Sequence, residues 1–161
     1  MTTVASQLIA ELTRRHLTLA VAESLTGGLL VAEFVAVPGA SDVLLGGVVA
    51  YNTELKHSIL GVDAGLLAAH GAVHPEVASQ MASGVREALS VAGHPADIGI
   101  STTGVAGPGP SDGHAEGTAF VAVSMGDQTH ILSLSLEGTR EEIRSLVVSE
   151  SLAQLQAVVT G

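Results

Sequence analysis

The chain has 161 residues, enough for one hydrophobic core, and it is rich in Val, Leu, Ala and Ile. Its 16 acidic residues outweigh 6 basic ones, which argues against a phosphate-backbone surface and so against nucleic acid as a partner. Without cysteine there is no disulfide or thiolate metal site, and no apolar stretch is long enough to cross a bilayer, so a cytoplasmic protein without membrane attachment is expected.

Val4, Leu8, Ile9 and Leu12 recur at helical spacing, and Leu17 to Val21 is a short apolar run that reads as a buried strand. Gly27 and Gly28 then open a largely buried helix from Leu29 to Val37, stopped by Pro38-Gly39. Val43 to Asn52 reads as a second strand. Thr53 to Leu60 is a helical turn or short helix, and Asp63 to His70 another. Pro75 suits the first turn of a longer helix with His74 in a cap-like position, and Val77, Met81, Val85 and Leu89 form its apolar stripe as far as Gly93.

Ala96 to Ser101 is a third strand, and the glycine- and proline-rich segment Gly104 to Gly117 is expected to be a functional loop. Thr118 to Ser124 and Thr129 to Leu136 have hairpin spacing across Gly126-Asp127, and Thr139 to Val158 is a closing helix. Strands alternating with helices and then forming a hairpin describe a single α/β layered domain over residues 1–161, a mixed β-sheet with helices on its faces. A chain this aliphatic, with many small residues, makes burial between subunits and so a homo-oligomer an expectation.

Three clusters are candidates for chemistry. Ser24 stands on the strand-to-helix turn Ala22-Glu23-Ser24-Leu25-Thr26-Gly27-Gly28, where the glycines allow close backbone approach to a ligand and the next helix offers free amides to an anion. Its ordinary reading is a helix cap. Tyr51, Asn52 and Lys56 form the second cluster. Lys56 is the only lysine, and a partly buried neutral amine there could take the serine proton while Tyr51 orients or shuttles it. A lone lysine after a strand is more often a solvated surface residue.

The third cluster, Ser101 to Pro108, places hydroxyls and then small residues at a strand end, where open α/β sheets commonly bind ligands; Thr103, Gly104, Ala106 and Gly107 are its candidates for a phosphate or oxyanion. No triphosphate or dinucleotide fingerprint is present, so no such cofactor is expected. The seven histidines are scattered without metal-ligand spacing, so no metal site is expected either. Arg140 and Arg144 lie one turn apart near the start of the last helix, and Arg140 is the better anion ligand of the two.

Taken together, Ala22 to Gly28, Gly47 to Asn52 with Lys56, His70-Gly71-Ala72-Val73, Thr103 to Pro108 and Gly138-Thr139-Arg140 resemble the CinA C-terminal domain family over nearly the whole chain. Leu25 stands where that family usually has cysteine, and His74 where it often has serine. His114-Ala115-Glu116-Gly117 replaces its lysine-proline-valine-glycine, and Thr139 an acid. The N-terminal domain of longer members is expected to be absent, so the resemblance implies only the amidohydrolase activity of the family.

The resemblance implies hydrolysis of the carboxamide of nicotinamide mononucleotide to nicotinic acid mononucleotide and ammonia, in pyridine nucleotide salvage. Ser24 would be the nucleophile, Lys56 the base and Tyr51 an assistant. Thr26, Gly27, Gly28, Asn52, Thr103, Gly104, Ala106, Gly107 and Arg140 would form the substrate site, with amides of Gly27-Gly28 or Thr103-Gly104 as the oxyanion donors. A non-catalytic nucleotide-binding or assembly module, and an amidase for another small amide, are the alternatives.

Overall fold

A computed structural model describes residues 2–161. The chain runs α1 (Val4–Arg15), β1 (Leu19–Glu23), α2 (Leu29–Val35), a 3-10 turn at Ala40–Asp42, β2 (Leu44–Val49), α3 (Thr53–Ser58), α4 (Ala64–His70), α5 (Pro75–Ala88), β3 (Ile98–Gly104), β4 (Thr118–Met125), β5 (Gln128–Ser135) and α6 (Arg140–Thr160). The strands form one sheet in the order β2-β1-β3-β4-β5. β1 runs parallel to both β2 and β3, and β4 and β5 add antiparallel. This is the mixed, helix-covered α/β sheet expected from the order of elements.

Both faces of the sheet are covered, which explains why β1 is buried at every residue and reads as an unbroken apolar run. One core layer joins Leu8 and Leu12 of α1, Leu30 and Phe34 of α2, Val147 and Leu155 of α6, and Leu19, Val21, Ile98 and Ile100 of the sheet. The other packs Val77, Met81 and Val85 of α5 against Ala20, Ala22, Ala50, Leu60 and Val62. Helix α5 seats closely because Gly99 of β3 has no side chain: a Cβ there would lie 1.9 Å from the carbonyl oxygen of Ala82. β5 is the exposed outer strand.

Three boundaries differ from the sequence reading in ways that bear on the site. β1 starts later than expected and continues to Glu23, because Thr18 instead binds Asp97 through its amide and hydroxyl at 2.7 and 2.8 Å. β2 stops at Val49, since Asn52 turns its side chain to the amide of Glu54 at 2.9 Å and starts α3. β3 runs on to Gly104, since pairing with β4 extends to Gly104 opposite Ala119, so Thr102 and Thr103 belong to a strand.

Candidate active site

β1 ends by delivering two polar residues to the edge of the core. Glu23, fully buried, accepts hydrogen bonds from the amides of Leu30 at 2.9 Å and Val31 at 3.0 Å, so its carboxylate satisfies the free N–H groups at the start of α2. Between strand and helix the chain turns through Gly27 and Gly28, whose φ angles of 59° and 104° suit glycine. Ser24 is held by its own amide, which donates to the Thr102 carbonyl at 3.1 Å. The Thr102 hydroxyl lies 2.8 Å from that of Thr26. From α6, Arg144 donates to the carbonyls of Leu25 at 2.8 Å and Thr26 at 3.2 Å, pinning the same turn from outside.

Lys56 comes to this turn from α3, and none of its surface is exposed. Its Nζ donates to the Ala50 carbonyl at 2.7 Å and lies 2.9 Å from Ser24 Oγ. Burial pulls the Lys56 ammonium down from 10.5 to about 8, opposed by the negative charge of Asp112. Near neutral pH a usable fraction of the amine is therefore uncharged, and its lone pair can accept the Ser24 proton while one N–H stays on Ala50. The solvated-lysine reading fails at this position, because the side chain points into the core rather than out of it.

A cavity of about 330 Å³ opens above Ser24, lined also by Leu25, Tyr51, the segment from Gly104 to Ser111, and Arg140. Arg140 closes one side, donating to the Gly107 carbonyl at 2.5 Å and to the Tyr51 hydroxyl oxygen at 3.2 Å. The segment that follows β3 is not loose. Ser111 and His114 exchange backbone hydrogen bonds at 3.0 and 2.9 Å, and Glu116 accepts from the amide of Gly109 at 2.6 Å. Gly117 permits its return to β4, because a Cβ there would lie 1.8 Å from the Leu136 carbonyl oxygen.

Of the residues singled out from the sequence, Ser24, Tyr51, Gly104, Ala106, Gly107 and Arg140 line this one cavity, and Lys56 lies directly behind Ser24. The others are near but face elsewhere. Thr26 is buried against Thr102, Gly27 donates its amide to the Ser24 carbonyl at 3.1 Å, and Gly28 starts α2. Asn52 caps α3, and the Thr103 hydroxyl donates to the Ala72 carbonyl at 2.8 Å. The Gly27 amide is thus already occupied, whereas the amides of the lining residues Leu25 and Ala106 donate to no other described residue.

Glu23, Thr102 and Asp112 were given no individual site role by the sequence reading, and Arg144 ranked behind Arg140 there as an anion ligand. Only Glu23 carried a usable signal, as a charged residue closing an otherwise apolar run. Among the described residues, no cluster of three or more His, Asp or Glu side chains is arranged to hold a metal ion. No helix of the described residues is long and apolar enough to cross a membrane.

Comparison with known proteins adds the family. The sequence pattern of the CinA C-terminal domain matches residues 1–159. The chain belongs to the CinA C-terminal domain family. A CinA-like protein of Frankia casuarinae is 46% identical over 150 residues, which cover 93% of this chain and 34% of that protein. The chain thus spans about a third of the length of the curated relatives it matches. Among solved structures, the competence/damage inducible protein CihA from Agrobacterium tumefaciens superposes with a TM-score of 0.89 at 30% identity, covering 98% of this chain and 94% of that one. A CinA superfamily protein from Enterobacter cloacae gives 0.89 at 32% identity, covering 99% and 94%. The pairing of Ser24 with Lys56 therefore sits in a CinA fold that departs little from these crystal structures.

Proposed function

We propose that this CinA domain, acting as one unit over residues 1–161, hydrolyses the carboxamide of nicotinamide mononucleotide to the acid and ammonia. The observation that supports this most directly is the 2.9 Å approach of the buried Lys56 amine to Ser24 Oγ at the floor of the cavity. A buried amine with lowered basicity next to a hydroxyl is what a serine nucleophile needs when no histidine serves it.

The neutral Lys56 amine takes the Ser24 proton as Oγ bonds to the carboxamide carbon. The negative charge on the carbonyl oxygen is met by the amides of Leu25 and Ala106, two of the cavity-wall amides that donate to no other described residue. Lys56 then returns its proton to the departing nitrogen, the C–N bond breaks, and ammonia leaves an ester on Ser24. Water, deprotonated by the same amine, adds to that ester and releases the acid and the free serine hydroxyl. Tyr51 and Arg140 stand at the rim, where the amide's remaining substituent would rest, and Arg140 would meet the phosphate.

Ammonia release from nicotinamide mononucleotide by the purified protein, compared with its Ser24→Ala variant, tests the reading. Equal release by both, or none by the wild-type protein, overturns it.

A further inference from the structure

Glu116 is the one acidic side chain that the loop carries against its own cavity wall. Its Oε2 accepts the Gly109 amide at 2.6 Å. The same oxygen lies 2.7 Å from where a Cβ on Gly107 would stand, and Gly107 and Gly109 both line the cavity. Glu116 itself does not line it and is solvent-exposed, so the carboxylate flanks the wall from outside the cavity. Gly107 and Gly109 have φ angles of 83° and 79°, a glycine conformation in which a loop can turn its amides towards an anion. Here the anion is the protein's own exposed carboxylate.

The cation that would meet the phosphate already makes hydrogen bonds within the protein. The Arg140 guanidinium is committed to the Gly107 carbonyl and Tyr51, and the Lys56 amine to Ala50 and Ser24. Asp112, on the same loop, adds a second negative charge within reach of Lys56.

We infer that Glu116 is a specificity-determining residue, whose carboxylate holds the Gly109 amide and opposes a phosphate seated against Gly107–Gly109, so that nicotinamide mononucleotide is accepted less well than it would be without this charge. The inference rests on the amide-hydrolysis reading for its substrate class, and on the loop geometry alone for its effect on phosphate. A phosphate monoester brings a charge of about −1.5 to −2 near pH 7, so its like-charge penalty at this wall exceeds that of an unphosphorylated nucleoside.

Glu116→Gln keeps an oxygen for the Gly109 amide and removes the charge. The expected result is a kcat/KM for nicotinamide mononucleotide raised about fivefold at low ionic strength, with nicotinamide riboside changed less than twofold and the selective gain shrinking in high salt. Calorimetric titration with inorganic phosphate, which needs no turnover, is expected to show correspondingly tighter binding to the variant. Equal shifts for both substrates, or an unchanged phosphate titration, overturn the inference. If neither substrate yields ammonia with either protein, the amide reading falls, and the phosphate titration still decides the role of Glu116.

Discussion

Lys56 Nζ and Ser24 Oγ, 32 residues apart in the chain, meet at 2.9 Å in the buried floor of one cavity. Groups that act as a unit lose their function together rather than in proportion. Ser24→Ala and Lys56→Met are each expected to lower ammonia release by about 1,000-fold or more, and the double variant is expected to be no worse than either. Steady-state ammonia assays on the three proteins check this, and additive losses would contradict a shared step.

The base must be uncharged to accept a proton, so activity should rise with pH through about 8, the value to which burial brings Lys56. The Asp112 carboxylate favours the charged amine, so removing its charge lowers the Lys56 pKa further. Asp112→Asn is therefore expected to move the rising limb of the kcat/KM profile to lower pH. An unmoved or upward-shifted limb would show that the limb belongs to another group.

Burial of Lys56 also has a consequence for folding. Its value is 10.5 in a solvated chain and about 8 in the fold, so the unfolded state holds the extra proton between these limits. Below about pH 8 the penalty is fully present, on the order of 3 kcal/mol, and it is relieved as pH rises towards 10.5. Lys56→Met lacks this term. Chemical denaturation at pH 7 and pH 10 is expected to show the variant gaining most on the wild type at the lower pH, and a pH-independent difference would refute the linkage.

Glu23 holds two amides of α2 from a fully buried position. Glu23→Ala leaves both donors without an acceptor, and a loss of about 2 to 4 kcal/mol in stability is expected, visible as a lowered Tm. Ser24 follows directly in the chain, so the variant should lose activity even at temperatures where it remains folded.

Much of the fold was legible because its signals are local. The apolar run at β1, Pro75 at the head of α5 and the Gly126-Asp127 turn each point to one element, and their order points to a mixed sheet between helices. The grouping of Ser24, Tyr51 and Lys56 was suggested by their residue types and positions, but each alone has a commonplace structural reading, and only the family resemblance joined Arg140 to them. What stayed hidden depends on distant pairing. Thr103 reads as a ligand-facing hydroxyl until β3 is seen to extend beyond it and turn its side chain to Ala72. Asp112 sits in a glycine-rich segment with no periodicity, and only the fold of that loop brings its charge towards Lys56. Arg144 looks like a second anion ligand, yet its donors go to carbonyls of the Ser24 turn.

Arg140 and Arg144 grip two segments at the cavity from a single rod, the first holding Gly107 and the second Leu25 and Thr26. Helix α6 continues for four further turns and more beyond them, to Thr160. The entrance and the nucleophile turn are in this way yoked to one lever arm, and a tilt imposed at its remote end would misalign both segments in concert.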